Sequence, residues 1–559
     1  MRHYLLVLVL ALLQACAAAP DPSATPVTGE LSRPNIILIT AEDLSPRVGF
    51  MGDPVAVTPN LDRLASQSVA FTRAFTTAGV CSPSRAALIT GVHQQTLGAH
   101  NMRTSSYGEN MDEGAPYRAV PPPQVKAFPE LLRAAGYFTT NDFKTDYQFG
   151  NAFTIWDDNR KGADWTARAE GQPFFAMINH EVTHEGRTWP PDTDPALHPV
   201  VARRGPLNAA IDAGKDFPLT NPATVRVPDY WPDTPAVRAN LARFYDNIRV
   251  MDRQVGELLA KLEANGRFQD SIIIFTTDHG DGLPRHKRTI FDSGTRVPML
   301  VRFPDGYGAG TQRHDLVSFI DIAPTILGWA GVPVPDWIQG RRLFDDPAPE
   351  AIFMAGDRFD EVPQRFRGVR EERWHYIRYF SDQPVIPSLR YQNVNPIMRE
   401  MRRLNAADKL SPLQASYLNG PAPREFLFDT QEDPDELRNL ADDRRFAPIK
   451  SRLSRRMERW IDQSGDLGLV PERELVARIW PDGKQPKTAA VTACRLANGR
   501  VRLRSATPGA SIGWGPDDAG QNLYSNAIDT AADFRARAVR YGYIPSDEVL
   551  ITPLSLLPC

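Results

Sequence analysis

Two stretches of this chain are almost continuously apolar and β-branched: Asn35-Ile36-Ile37-Leu38-Ile39-Thr40, and Ser271 to Phe275 with Ile272-Ile273-Ile274 at its centre. A strand with one wet face alternates apolar and polar residues, so runs apolar on both faces predict central strands covered by helices on either side. Phe174 to Ile178 and Pro298 to Phe303 are further strand candidates. Helical patterns lie between them, among them Asn60 to Ser66 and Pro235 to Asn265. The longer one opens with Thr234-Pro235 and closes with Asn265-Gly266, residues suited to starting and stopping a helix. The alternation predicts an α/β fold with a large, mostly parallel sheet sandwiched by helices.

From about residue 484 the texture changes. Lys487 to Leu496, Arg500 to Ser505, Phe534 to Tyr541 and Glu548 to Thr552 are short, partly alternating and separated by Gly, Pro, Asn and Asp. That pattern predicts a small β-sandwich. Thr507-Pro508-Gly509-Ala510-Ser511-Ile512 and Arg537-Ala538-Val539-Arg540-Tyr541-Gly542-Tyr543 resemble the β-rich modules appended to some carbohydrate-active enzymes.

Composition narrows the picture. With 559 residues, 42% hydrophobic and 23% charged, the chain suits one large and one small domain. A formal net charge of -3 leaves no overall electrostatic footprint for nucleic acid, so that partner is disfavoured. The N-terminus has a short basic start, an apolar run from Tyr4 to Leu13 and then Leu13-Gln14-Ala15-Cys16. This reads as a secretory signal, too short to span a bilayer. Leu-x-Ala-Cys resembles a bacterial lipobox, which would place a lipid anchor on Cys16; ordinary cleavage nearby is the alternative. Export to the periplasm, or to the outer membrane or cell surface as a lipoprotein, is the expectation. The four cysteines, Cys16, Cys81, Cys494 and Cys559, are too few for a disulfide scaffold. If Cys16 is lipidated, Cys494 and Cys559 remain to pair, and Cys81 stands alone.

The strongest strands both run into acidic residues, Thr40-Ala41-Glu42-Asp43 and Thr276-Thr277-Asp278-His279-Gly280. Ligands of open α/β sheets bind at the carboxyl ends of strands, so these groups can converge. Carboxylate oxygens suit Ca²⁺ or Mg²⁺, although a lone carboxylate there can simply cap a helix. Between them lies Val80-Cys81-Ser82-Pro83-Ser84-Arg85-Ala86-Ala87-Leu88-Ile89-Thr90-Gly91. A helix start with Arg four residues after an unpaired Cys would stabilise an anion; a buried structural thiol is the plainer reading.

Cys-x-Pro-x-Arg followed by Ala-Ala-Leu-Ile-Thr-Gly resembles the signature of the type I sulfatases, members of the alkaline-phosphatase-like superfamily. The resemblance continues through Arg33-Pro34-Asn35-Ile36, Thr58-Pro59-Asn60-Leu61-Asp62-Arg63-Leu64-Ala65, Asp321-Ile322-Ala323-Pro324-Thr325-Ile326-Leu327 and Leu427-Phe428-Asp429. Cys81-Ser82-Pro83-Ser84-Arg85 and Val227-Pro228-Asp229-Tyr230-Trp231-Pro232 are most similar to the branch of heparan N-sulfatase and bacterial polysaccharide sulfatases. The expected organisation is a signal region 1–16, a linker 17–32, and a sulfatase domain 33–483 divided near residue 345, with 484–559 appended.

The resemblance also implies the chemistry. A formylglycine-generating or other sulfatase-maturing enzyme would convert Cys81 to formylglycine, whose hydrate attacks sulfur with one hydroxyl and expels sulfate through the other. Ca²⁺, or Mg²⁺ in its place, would lie between Glu42, Asp43, Cys81, Asp278 and His279, with Glu42 and His279 standing where Asp and Asn are usual. Arg85, Lys144 and Lys287 would offset charge on the transferring group, and His184 would bind sulfate or protonate the leaving oxygen. Lys287 and His184 are expected across the sulfate from the cation. Asp146 replaces a histidine the family usually carries near Lys144. Loop residues His100, Arg103, Asp157, Arg358 and Asp360 are candidates for contacting the sulfated carbohydrate. The competing readings are a phosphomonoesterase or phosphonate hydrolase of the same superfamily, and a non-catalytic glycan-binding surface lipoprotein.

Overall fold

The protein is described by a computed structural model over residues 33–104 and 116–559; the expected leader, Cys16 and linker lie outside the described residues. Strands β1 (Asn35–Ala41), β2 (Val69–Phe75), β3 (Phe138–Asp142), β4 (Asp158–Asn159), β5 (Phe174–His180), β6 (Ser271–Thr277), β7 (Arg296–Arg302), β8 (Thr311–Arg313) and β9 (Val317–Ser318) form one sheet. Its order is β4-β3-β5-β1-β6-β7-β2-β8, with β9 also on β2. β4, β3, β5, β1 and β6 run parallel, and β7 is antiparallel to both its neighbours.

The continuous apolar run of β1 is explained by its place at the centre. Ile37 and Ile39 enter one core with Ile273 and Phe275, while Ile36 and Leu38 enter the opposite core with Ile272 and Ile274. Burial of each such side chain stabilises the fold by roughly 1.5–3 kcal/mol. The long helix Pro235–Ala264 covers the first face through Leu241, Phe244, Ile248 and Met251. It is opened by Thr234, whose side chain accepts from the Val237 amide. Helices Cys81–Thr90, Phe128–Ala134 and Ile322–Trp329 cover the other face. Among the described residues no helix is long and apolar enough to cross a membrane.

The α/β expectation holds, and β1, β5, β6 and β7 lie where the apolar runs put them. Strands β2 and β3 escape the sequence reading because Thr72-Arg73 and Thr139-Thr140-Asn141 break their apolar patterns.

Beyond the large sheet, β10 (Ala351–Phe359), β11 (Val362–Glu371), β12 (Trp374–Tyr379) and β13 (Glu425–Asp429) make an antiparallel sheet. Helix Ala447–Ser464 backs it, with Leu453 and Met457 against Val369, Tyr376 and Leu427. Near the C-terminus, β14 (Val491–Arg495) pairs with β15 (Val501–Ser505). A four-stranded sheet runs β17-β16-β18-β19, from β16 (Ser511–Gly515), β17 (Asn522–Leu523), β18 (Phe534–Val539) and β19 (Val549–Ile551). Both sheets contribute to one core, Val491, Val501 and Leu503 meeting Ile512, Phe534 and Ala536. A Cys494–Cys559 disulfide ties the last residue to β14.

The parallel register prepares the site. Ala41 at the end of β1 pairs with His180 of β5 and Thr277 of β6. Glu42-Asp43, Glu181 and Asp278-His279 therefore emerge side by side at the carboxyl edge of the sheet.

Candidate active site

Cys81 is the first residue of helix Cys81–Thr90 and is a buried free thiol. Its Sγ lies 3.2 Å from His279 Nε2 and 3.9 Å from Asp43 Oδ1. The rest of the motif fastens this helix to the strand ends. Pro83 occupies the first turn, where a missing N–H costs little. Ser84 Oγ donates to the Asp278 carbonyl at 2.6 Å. Arg85 donates from Nε to Asp278 Oδ2 at 2.9 Å and from Nη1 to Asn179 Oδ1 at 2.8 Å, with Nη2 3.6 Å from Glu42 Oε1.

Asp43 adopts a left-handed backbone conformation, φ 49°, that Asp tolerates better than most residues. Its amide donates to Asp278 Oδ1 at 3.1 Å and its Oδ2 accepts from the Glu185 amide at 2.6 Å. A side chain at Gly282 would come within 2.6 Å of Asp43 Oδ2 and 2.7 Å of Glu185 Cα, so only glycine fits behind this carboxylate. Lys287 Nζ donates to both Asp43 oxygens, at 3.0 and 2.8 Å. Lys144 Nζ contacts Glu42 and lies 3.8 Å from Asp278 Oδ2.

These cations decide the protonation of the cluster. Burial works to raise the Asp43 carboxyl, yet Lys287 and His279 hold it well below the usual range. Asp278 is likewise held low, against burial, by His279, Arg85 and Lys144. At Glu42 burial prevails over Lys144 and pushes the carboxyl above its ordinary value. His279 is pushed up to about 10, against burial, by Asp278 and Asp43.

Asp43, Cys81, Asp278 and His279 each offer a ligand atom within 4.8 Å of the others, and Glu42, Asp43 and His184 form an overlapping group. The donor set fits a hard divalent cation through its carboxylate oxygens. His279 fits as well: its Nδ1 is 2.8 Å from the Gly280 carbonyl, which orients Nε2 toward Cys81 and Asp43. Nε2 must give up its proton to serve as a ligand.

His184 Nδ1 accepts from the Gly186 amide at 3.1 Å, which leaves the proton of the neutral ring on Nε2, 4.0 Å from Glu42 Oε2. Burial and the Lys287 charge hold its pKa well below the ordinary value, so the ring is neutral and presents Nε2–H. Lys287, expected to face sulfate from across the cation, is placed against Asp43. The Leu44 amide donates to the His279 carbonyl at 3.0 Å and the Lys287 amide to the Asp281 carbonyl at 3.1 Å, and Lys287 Nζ rests directly on Asp43.

A cavity of about 540 Å³ opens over Glu42, Lys144 and His184, and Arg103 and Asp146 line it. Asp146 is held low, against burial, by Arg103 and Lys144. Asp360 is buried behind this wall, its Oδ2 accepting from Arg288 Nε at 2.5 Å. The remaining loop candidates are placed differently. Arg358 is bound by both oxygens of Glu472, at 2.7 and 2.8 Å. His100 is buried beside Asp357 and Arg367, where burial lowers its pKa. Asp157 lies immediately before β4, accepting from Arg133 Nε at 2.5 Å and from the Thr139 amide of β3 at 2.8 Å. The structure brings neither His100, Asp157 nor Arg358 to the cavity wall; each is committed to an internal partner or buried place.

Several site groups escape the sequence reading. Asn179 holds Arg85 in place and is itself fixed by Thr40 and Asn141. Glu185 lies 3.6 Å from Lys287 and 3.0 Å from Arg288. His286 bridges Asp281 at 3.1 Å and the Tyr230 hydroxyl at 2.8 Å, immediately before Lys287. A polar residue just after a strand looks like any helix cap in sequence; only the convergence of strand ends distinguishes them.

Residues 34–332 match the Sulfatase family profile, and residues 284–416 match the profile described as N-sulphoglucosamine sulphohydrolase, C-terminal. An ulvan-active sulfatase of Formosa agariphila is 34% identical over 550 residues, covering 94% of this chain and 92% of the relative. Human N-sulphoglucosamine sulphohydrolase is 27% identical over 469 residues, covering 76% of this chain and 89% of the relative. A protein solved in complex with its substrate D-glucosamine-2-N,6-O-disulfate shares the fold, with a TM-score of 0.53 and 17% identity over 78% of this chain and 100% of that one.

Proposed function

The chain belongs to the sulfatase family and is a sulfuric ester hydrolase, and from that premise we propose that it desulfates a sulfated polysaccharide or its oligosaccharides through formylglycine made from Cys81. One observation carries the reading: the single free thiol among the described residues is buried at a helix start, within 3.2 Å of His279 and 3.9 Å of Asp43. The names of the ulvan-active and N-sulphoglucosamine relatives support a sulfated carbohydrate as substrate.

The roles follow from the contacts. Asp43, Asp278 and His279, with Glu42 beside them, would hold a Ca²⁺ or Mg²⁺ ion. Such a cation would supply positive charge where negative charge gathers on the sulfuryl oxygens. Arg85, fixed by Asp278 and Asn179, orients the hydrated aldehyde at residue 81. Its first hydroxyl takes the sulfuryl group as the sulfur–oxygen bond to the sugar breaks, and the proton it loses passes to the leaving sugar oxygen; loss of the second hydroxyl's proton then breaks the carbon–oxygen bond to sulfate, releasing sulfate and the aldehyde, which water rehydrates. Lys144 and Lys287 stabilise the charge on the transferring group. His184 donates from Nε2–H to a sulfuryl oxygen, because its neutral ring suits hydrogen bonding better than proton release.

We also take 33–483 as the catalytic unit, divided near residue 345, and 484–559 as the appended module, since the two C-terminal sheets keep a core of their own. Export is supported by the Cys494–Cys559 disulfide, a bond that persists in oxidising compartments. A lipid anchor on Cys16 and a dedicated maturing enzyme complete the proposal.

The test is sulfate release from defined ulvan, heparan, chondroitin and fucan oligosaccharides by protein co-produced with a maturing enzyme. Release from at least one acidic glycan, absent in Cys81→Ala, is the expected result. Hydrolysis of phosphate or phosphonate esters with no action on any sulfate ester would replace this reading.

A further inference from the structure

The cleft carries more positive charge than one sulfate requires. Beyond Lys144, the 540 Å³ cavity is walled by Arg187, Arg203 and Arg204. Arg187 lies three residues after His184, in the turn Glu185–Arg187, and Arg203 and Arg204 begin helix Val201–Ala213. That helix is fixed to the turn: Asn208 Nδ2 donates to the Gly186 carbonyl at 3.0 Å and the Trp189 carbonyl at 2.8 Å. Trp189, Val201 and Val394 form a small core beneath it. The arginines therefore stand on rigid supports beside the sulfate-facing groups.

Among the described residues these three charges are matched only in part. Among the described residues neither Arg203 nor Arg204 has a carboxylate in ion-pair range. Arg187 lies 3.5 Å from the half-exposed carboxylate of Glu181, and its buried Nη1 has no hydrogen-bond partner. Burial and the neighbouring Arg204 lower the Arg187 pKa, and Glu181 opposes them only in part. The other acidic groups on the wall, Glu42 and Asp146, are already engaged by Lys144 and Arg103. Guanidinium forks match carboxylate and sulfate geometry in a bidentate manner, whereas lysines act as point charges. Phe143 and Leu207 line the same cavity with 50% and 48% of their surface exposed, apolar faces suited to a sugar ring.

We propose that Arg187, Arg203 and Arg204 form a second anion subsite, which binds a carboxylate or an additional sulfate on the sugar next to the one being desulfated. The inference rests on the sulfatase reading of the same cleft and narrows its substrates to polyanionic glycans. An anion there offsets the mutual repulsion of the three arginines and aligns the glycan before reaction.

The test uses three disaccharide probes: a uronate-containing one with a single sulfate, its carboxyl-reduced form, and the carboxyl-reduced form carrying a second sulfate on the adjoining sugar. Binding to the Cys81→Ala protein is measured by calorimetry, with and without Arg203→Gln and Arg204→Gln, and KM and kcat are measured in the active background. The arginine substitutions should weaken the preferred dianionic probe tenfold or more, and the singly charged probe by less than twofold. In the active background the same loss should appear in KM rather than kcat. Which dianionic probe suffers identifies carboxylate or sulfate as the ligand. Equal losses on all three probes, or none on either dianionic probe, overturn the subsite. Absence of any turnover by the parent protein, with the binding difference intact, would fall on the hydrolase reading alone.

Discussion

In the proposed reaction Lys287 and His184 act on the same transferring group by different means, and their substitutions should separate. The Lys287 ammonium is buried on Asp43, in a place where water cannot screen its charge. Removing such a preorganised contact should cost roughly 3–4 kcal/mol in transition-state stabilisation, or about 100- to 1000-fold in kcat for Lys287→Ala. His184→Ala should lower kcat/KM by a similar factor for aryl and glycan sulfates alike, because a neutral imidazole offers a hydrogen bond. A loss confined to poor leaving groups would make His184 a proton donor instead. At this scale the sequence displays the residues that the family motif spells out, Cys81, Arg85 and the acidic pairs. It hides Asn179, Glu185 and the arginines of Val201–Ala213, whose polar side chains gain meaning only from neighbours distant in the chain. Asp157 shows the reverse: an acidic loop residue that looks available is spent on Arg133.

Glu130 joins the C-terminal sheets to the body of the large sheet. From helix Phe128–Ala134 its buried carboxylate accepts from the Tyr541 hydroxyl and the Thr154 hydroxyl, each at 2.7 Å, and also from Ser511. Tyr541 stacks on Phe149 at 5.1 Å, and Arg133 reaches the Gly520 and Gln521 carbonyls at 3.1 Å. Hydrogen bonds to a charged group are worth about 1.5–3 kcal/mol, and more is lost when a buried carboxylate is left short of donors. Tyr541→Phe should therefore lower stability by about 2 kcal/mol in denaturant titration and loosen the module ahead of the large sheet. An unchanged midpoint would mean that Glu130 does not hold the interface. Elements with a uniform environment are the legible ones. β1 and β6, dry on both faces, and the amphipathic Pro235–Ala264 announce themselves, whereas Val201–Ala213 is obscured by Gly205-Pro206 inside it.

For the whole molecule, the decisive event is the meeting of strand ends far apart in sequence: Asp43 and Asp278 touch across 235 positions. The cluster is internally neutralised by Lys144, Lys287, Arg85 and His279, so the fold does not depend on a cation for charge balance. Chelation should accordingly abolish turnover while leaving the protein folded, and added Ca²⁺ should restore both activity and about 2.7 kcal/mol of stability at a hundredfold excess over Kd. Undiminished turnover in excess chelator would remove the cation from the account. The central claim is the conversion of Cys81. It is tested most directly by peptide mass spectrometry of residue 81 across preparations made with graded amounts of maturing enzyme, alongside sulfate release from each. The account predicts that activity rises in proportion to the formylglycine fraction and vanishes where residue 81 is wholly cysteine; full activity from the unmodified thiol would contradict it.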